Sequence, residues 1–264
     1  LEALLADAVR FQPLIEILDT PQPAQLTVIC EGKTSSTRAE FGIDFNVTPY
    51  SQKAIAARLS CERPHEQTAY QWFSQGEILA FLPMGGEQGN SVAIVWSVNE
   101  DHAQALLDES PADFCEKLEK VSEGRLGKLS LISERSAWPL QMARTEHWAG
   151  TWEGKAWVLA GDAAHNVHPL AGQGLNLGLA DVAVLATTLR DREYWRSVSD
   201  EKLLRRYERS RKAEVAAMSA AMDGLQQLFA QTGAPWQNMR NWGMNSFERS
   251  GLIKQWVARQ AMGF

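Results

Sequence analysis

The stretch GDAAHNVHPLAGQGLNLGLAD, residues 161–181, decides how this chain is read. It follows AWVLA at 156–160, an apolar run with the length of a buried strand. The order is strand, Gly-Asp turn, loop with proline and glycine, then helix. A strand that ends in Gly161 and Asp162 places a carboxylate at the carboxyl end of a sheet, where α/β folds bind ligands. Such a carboxylate accepts hydrogen bonds from hydroxyl groups. Pro169 stiffens the loop, and Gly172 and Gly174 let the backbone approach a flat ligand closely. The helix that opens near Gly174 points unpaired N–H groups at that ligand. Such an end favours negative charge by about 0.3–1 kcal/mol.

The rest of the chain bounds the answer. It has 264 residues, enough for one large domain or two small ones with a real core. With 45% hydrophobic and 22% charged residues it has the composition of a globular protein. A net charge of -6 argues against a broad nucleic-acid surface, so no nucleic-acid partner is expected. No apolar run approaches the ~18 residues of a membrane span, and no signal peptide is visible. Cys30, Cys61 and Cys115 are far apart and form no CxxC, which predicts free, buried thiols in a reducing compartment. The chain begins at Leu1, which suggests a processed product or a fragment.

Outward from the quoted stretch, the pattern predicts a helix over residues 1–10 and a buried strand over 26–30. EGKTSSTR at 31–38 reads as a turn or loop. Runs at 54–59, 69–73, 78–82 and 91–96 are short, β-branched and aromatic, and read as strands. Glycines at 85, 86 and 89 suit a hairpin between the last two. Ser110 and Pro111 open a helix through Val121, and residues 126–133 return as a strand. This block reads as a mostly antiparallel sheet with one helix. The helix over 174–190 is apolar on nearly every side and is expected inside the protein. A last helix over about 201–232 carries Leu204, Tyr207, Arg211, Val215, Met218 and Met222 at 3–4 spacing, with Arg211 the only polar member. No internal repeat or low-complexity segment is present.

A flat ring that becomes anionic on reduction suits the loop and helix of residues 161–181, and a reduced flavin is such a ring. Gly161, Asp162, Pro169, Gly172, Gln173, Gly174, Asn176, Gly178 and Asp181 resemble the second flavin-binding motif of the single-component aromatic hydroxylases of the p-hydroxybenzoate hydroxylase type. The wording is similar in particular to the ubiquinone-biosynthesis branch, which hydroxylates polyprenyl phenols. SAWPL at 136–140, Leu82 and Pro83 with SVAIVW at 91–96, and EGKTSSTR at 31–38 resemble further segments of that branch. The resemblance runs from about Leu26 to the end. Two departures stand out. Glu31 replaces the aspartate of the family's Asp-Gly motif, and no GxGxxG turn for the FAD pyrophosphate occurs anywhere in the chain. The chain therefore looks like the carboxyl-terminal part of such an enzyme.

The resemblance implies an α/β fold of mixed α+β character. It has a partial Rossmann-like FAD-binding domain, a mostly antiparallel-sheet substrate domain and C-terminal helices. The parts are 1–45, a remnant of the FAD-binding domain with the Asp-Gly-like motif; 46–140, the substrate domain; 141–195, the return to the FAD-binding domain; and 196–264, a helical region. It implies FAD as cofactor and NADH or NADPH as reductant. O₂ is activated on the flavin, one oxygen goes to a phenol ring carbon and the other leaves as water. Gly161 and Asp162 would hold the ribityl chain. Pro169, Gly172, Gln173 and Gly174 would lie against the ring edges, with Asn176 on the ring side. Glu31 and Gly32 would lie near FAD and NAD(P)H. Leu82, Pro83 and Trp96 would line the substrate pocket. No general base stands out. A polyprenyl phenol is very apolar, so the family implies a cytoplasmic protein, peripheral on the inner face of a membrane and within a multi-enzyme assembly.

Plainer readings stand beside these. His165 and His168 lack a third ligand at metal-binding spacing, so loop hydrogen bonding is expected and no metal. Asp181 reads as structural, pairing with an arginine. GNSVA at 89–93 resembles a nucleophile elbow without its closing glycine. Arg205, Arg206, Arg209, Arg211 and Lys212 read as a solvated or salt-bridged helix face. Trp242, Phe247 and Trp256 are candidates for a membrane- or partner-facing patch. Two other functions remain open. One is a non-catalytic binding or scaffold module of quinone biosynthesis, favoured by the missing GxGxxG. The other is a related flavoenzyme acting on another aromatic substrate.

Overall fold

The structure, a computed structural model, describes residues 2–74, 76–85, 88–166, 174–230 and 250–251. Two sheets organise them. The smaller has three strands in the order β1-β9-β8: β1 (Leu26–Ile29), β8 (Ala149–Trp152) and β9 (Lys155–Leu159). β1 and β9 are parallel, while β8 and β9 form a hairpin. The hairpin turns at Glu153 and Gly154, whose φ values of 48° and 77° match the twist of the flanking strands. β9 is apolar from Ala156 onward because both its faces are covered there. Trp157 and Leu159 pack with Ile29, Leu177 and Val215, while Ala156 and Val158 pack with Leu185, Leu204 and Tyr207. The covering elements are α5 (Gly174–Arg190) and α6 (Glu201–Ala230).

The larger sheet has seven strands. Its spine is β2 (Phe45–Cys61), flanked by β5 (Ser91–Asn99) and β7 (Ser136–Thr145). β4 (Glu77–Pro83) and β3 (Tyr70–Ser74) extend one side, β10 (His165–Asn166) pairs β7 on the other, and β6 (Leu129–Leu131) pairs the end of β2. The pairings among these strands are antiparallel, so the expected antiparallel sheet is present. The β4–β5 hairpin falls where the glycines predict it. α3 (Glu100–Asp108) and α4 (Pro111–Val121) cover one face of this sheet. Ser110 caps α4 by accepting the Asp113 N–H, and Pro111 sits in its first turn. Ile55, Leu59, Phe81, Ile94, Trp96, Leu106 and Phe114 form the core beneath.

Several expectations change. The block carries two helices rather than one, because α3 begins directly at the end of β5 with no turn residue to announce it. Residues 31–38 are not all loop, since α2 (Ser36–Glu40) starts within them. β7 runs through the expected boundary at residue 140 as one strand. Cys30 is exposed, unlike Cys61 and Cys115, and burial pushes the Cys61 thiol up to about 11. α1 (Glu2–Arg10) forms as expected but buries none of its residues. Among the described residues α5 is covered on one face: Leu177, Asp181, Leu185 and Thr188 are buried, while Leu175, Leu179 and Val182 are 61%, 48% and 53% exposed.

Candidate functional site

The site begins with the parallel pair. Ile29 is opposite Leu159, and the Ala160 N–H donates to the Ile29 carbonyl at 3.1 Å. The two strands therefore end side by side. Glu31 and Gly32 follow one, Gly161 and Asp162 the other, all at the carboxyl edge of the small sheet where α/β folds bind ligands. Gly32 and Gly161 turn the chain there with φ of 80° and 63°, the left-handed region that favours glycine. The Gly161–Ala163 segment is a single 3-10 turn. Asp162 lies exposed in it.

Local chemistry builds the first turn. Ser35 caps α2 by accepting the Arg38 N–H at 3.1 Å. Glu31 accepts from the Ser35 hydroxyl (2.6 Å), the Thr37 N–H (3.0 Å) and the Thr37 hydroxyl (2.5 Å). These bonds, the Ser35 hydroxyl foremost, hold the carboxyl below the usual carboxylate range. Both Glu31 oxygens are thus engaged in shaping the start of α2. Arg38 then joins the two turns. It is buried, reaches 125 residues along the chain to the Ala163 carbonyl (2.9 Å), and also donates to the carbonyls of Gly32 (3.4 Å) and Lys33 (2.6 Å). Its guanidinium lies 3.8 Å from the Phe45 ring centre.

The second turn is held from behind. Gly178 of α5 packs against it so closely that an added Cβ would lie 3.4 Å from the Gly161 Cα. One turn further on, Asp181 is fully buried and accepts from the Gly161 N–H (2.8 Å), His165 Nε2 (2.7 Å) and Arg211 Nε (2.7 Å). Burial works to raise its carboxyl, but the bonds from His165, Arg211 and Gly161 prevail and hold it below the usual range. Tyr207 adds a bond from its hydroxyl to the Leu159 carbonyl at 2.9 Å. Glu208 accepts from the Trp148 N–H (3.1 Å), Arg205 (2.7 Å) and Lys212 (2.6 Å). α6 is therefore pinned to the site by polar side chains one turn apart.

Of the residues expected at the site, Gly161, Asp162, Glu31 and Gly32 come together at one sheet edge. Gly174 and the exposed Asn176 lie in the first turn of α5. Pro169, Gly172, Gln173 and His168 lie outside the described residues. The substrate-lining set does not hold together. Leu82 pairs with Ala93, three residues from Trp96, so the two side chains point to opposite faces of the sheet. Trp96 is 1% exposed and packs on Phe114 and His102 under the helices, and Pro83 shares its pairing parity. Trp96 is a core residue here and cannot line an open pocket together with Leu82, which is 42% exposed. Asp181 pairs with an arginine as expected. The basic run read as a solvated or salt-bridged face does form salt bridges, Arg205 and Lys212 with Glu208 and Arg211 with Asp181, but Arg211 is fully buried rather than on a surface face. Trp242, Phe247 and Trp256 lie outside the described residues. Among the described residues no His, Cys, Asp and Glu group could hold a metal, and no helix is long and apolar enough to cross a membrane.

Arg38 and Trp148 were not singled out from sequence. Trp148 stacks on His165 with ring centres 4.8 Å apart and planes 20° apart.

Comparison with known proteins identifies the family and the fold. The sequence profile described as FAD binding domain matches residues 21–221. The ubiquinone hydroxylase UbiL of Rhodospirillum rubrum is 34% identical over 241 residues, covering 91% of this chain and 54% of that protein. The 3-demethoxyubiquinol 3-hydroxylase of Escherichia coli is 30% identical, covering 91% of this chain and 60% of that one. The chain thus spans between about half and three fifths of these relatives. Among solved structures, pqsL, a probable FAD-dependent monooxygenase from Pseudomonas aeruginosa, superposes with a TM-score of 0.63 at 21% identity. That match covers 78% of this chain and 57% of the other, and it shows a shared fold.

Proposed function

The chain belongs to the FAD binding domain family, and from that premise we propose that it forms the flavin-ring side of a monooxygenase that hydroxylates the aromatic ring of a polyprenyl phenol in ubiquinone biosynthesis. The observation that carries this reading is the union of two glycine turns, distant in sequence, at the ends of parallel strands, with Arg38 bonded into both. The residues present fit a flavin. Open space lies beside Gly32 and Gly174, where an added Cβ would meet nothing within 4 Å. Asp162 projects from the turn between them and is placed to accept ribityl hydroxyls. The first turn of α5, with Gly174 and Asn176, favours negative charge on the ring by about 0.3–1 kcal/mol. Pro169, Gly172 and Gln173 complete the ring side in this reading. Bound FAD, reduced by NADH or NADPH, supplies the oxygen-activating chemistry. The protein's own contribution is to orient the ring, stabilise its charge and keep water away.

The pyrophosphate turn is not within the chain, which contains no GxGxxG. The outer edge of β1 is unpaired among the described residues, and α5 presents Leu175, Leu179 and Val182 outward. These surfaces suit a segment that carries the turn, adds a strand beside β1 and covers the apolar face of α5. The very apolar substrate of this reading supports a further inference, a cytoplasmic protein that lies against a membrane face within a multi-enzyme assembly.

The test is an assay of the complete polypeptide encoded by the gene, loaded with FAD. A short-chain polyprenyl phenol is expected to stimulate NADH or NADPH oxidation and to gain one oxygen in mass. Flavin reduction indifferent to the phenol, with unchanged phenol mass, would refute the hydroxylase. Failure to retain flavin would support the second reading, a non-catalytic binding module, which the missing GxGxxG favours.

A further inference from the structure

His65 ties the β2–β3 connection to the β4–β5 hairpin. It is 4% exposed, and both its ring nitrogens are engaged. Nδ1 accepts the Gln67 N–H at 3.0 Å, and Nε2 donates to the Met84 carbonyl at 3.1 Å. The His65 backbone N–H donates to the Gly89 carbonyl at 2.8 Å. Met84 follows β4 directly, and Gly89 lies just before β5. One residue therefore holds both shoulders of the hairpin. The turn that carries it is strained. Glu66 and Gln67 have φ of 49° and 56°, the left-handed region that favours glycine. The Thr68 N–H closes this turn on the His65 carbonyl at 2.9 Å, and the bond from Gln67 to Nδ1 braces it from within. A cleft of about 460 Å³ lies between the turn and the hairpin, with His65 in its lining, so the joint sits beside solvent.

This bonding fits one protonation state of the ring. Gln67 gives a hydrogen to Nδ1, so Nδ1 is bare. The Met84 carbonyl receives one from Nε2, so Nε2 carries hydrogen. A second proton would sit on Nδ1 and face the Gln67 N–H, donor against donor. We propose that His65 is a pH-sensitive clasp: neutral, it locks the β2–β3 turn to the hairpin, and protonated, it releases the Gln67 N–H and frees the strained turn. One proton is taken from solvent, one hydrogen bond breaks, and the ring keeps its donor to Met84. Among the described residues lining the cleft, Glu66 is the other ionisable side chain, and it is exposed. Behind the turn, Arg63 is exposed and Glu62 accepts the Lys128 N–H at 2.9 Å. Glu87, in the hairpin connection, lies outside the described residues. The clasp is intact while the ring is neutral and is lost as falling pH protonates it. It involves no flavin and holds whether or not the chain is a hydroxylase.

Magnetic resonance on the chain labelled with 15N-histidine gives the first test. At neutral pH one of the five histidine rings should show a fixed neutral form with hydrogen on Nε2, and His65→Gln should remove that signal. Amide hydrogen exchange gives the second. Between about pH 8 and about pH 5, the Gln67 and Thr68 amides should lose about tenfold or more of their protection, after correction for intrinsic rates. Strand amides of the β2–β5 pair should keep theirs. His65→Gln retains a donor for Met84 but does not titrate, so its Gln67 amide should be poorly protected at every pH. Should that variant fail to fold by circular dichroism, His65→Asn carries the test. It keeps an acceptor for the Gln67 N–H, and protection there should no longer respond to pH. Three results would each overturn the clasp. They are hydrogen on Nδ1 at neutral pH, a ring that stays neutral until the whole protein unfolds, and an acid response of Gln67 that survives in the variant.

Discussion

Replacing Arg211 by methionine should destabilise the folded protein by about 3–5 kcal/mol, the usual consequence of breaking a buried ion pair from one side. The side chain is fully buried, donates to Asp181 from Nε, and also bonds Glu214 and the Leu177 carbonyl. Its removal leaves a buried carboxylate facing only His165 and one N–H. The melting temperature should fall by roughly 6–20 °C, at roughly 2–4 °C per kcal/mol for a domain of this size. The double variant Arg211→Met with Asp181→Asn should recover a measurable part of the loss, because no buried charge remains. A loss below about 1 kcal/mol would mean the pair is not buried in solution. The acid response follows from the same group. Asp181 titrates below its ordinary value in the folded protein. Its contribution is therefore fully present above the unfolded value, about 3.9, and is lost as pH falls through the folded one. Denaturation in acid should be less steep in Asp181→Asn than in the unaltered chain.

Arg38→Met should destabilise by about 2–4 kcal/mol and weaken flavin binding about tenfold or more, because hydrogen bonds to a buried charge contribute about 1.5–3 kcal/mol each and do not add. Three carbonyls, those of Gly32, Lys33 and Ala163, lose their donor at once. Two of them belong to the two glycine turns, so the relative position of the turns loosens as well. Arg38→Lys should recover little, since an ammonium cannot reproduce a planar fork that reaches both turns. Equilibrium urea unfolding gives the stability and flavin fluorescence the affinity. A variant that melts lower yet binds flavin unchanged would show that Arg38 supports the fold without setting the site.

How much of this was legible in the sequence depended on which partner each residue meets. AWVLA at 156–160 announced a buried strand because both faces of β9 are covered. Ser110 and Pro111 announced α4 because capping is local chemistry. α2 escaped because it is five residues long and its cap lies within a stretch rich in hydroxyls. α5 is apolar on nearly every side, and periodicity does not tell which side the described chain covers. Arg211 carried conflicting signals. Its spacing put it on the buried stripe of α6, and its charge argued for solvent. Spacing prevailed because an acceptor 30 residues away, Asp181, meets it. Trp96 and Leu82 were grouped by resemblance, but strand register separates them, and register is a property of pairing rather than of either segment alone. The glycines of the site were visible because a left-handed turn needs them. Arg38 was not, because its three carbonyl partners leave no trace in side-chain identity.

The most direct test of the account is a titration of this chain with riboflavin, FMN and FAD in parallel, followed by flavin fluorescence. If the chain holds the ring and ribityl side alone, the three should bind within about tenfold of one another, because the sequence contains no GxGxxG turn to hold the pyrophosphate. Asp162→Ala should weaken all three about equally. Binding of FAD more than about a hundredfold tighter than riboflavin would place a pyrophosphate site within this chain, and binding indifferent to Asp162→Ala would remove the Gly161–Ala163 turn from the cofactor site. Either result would contradict the account.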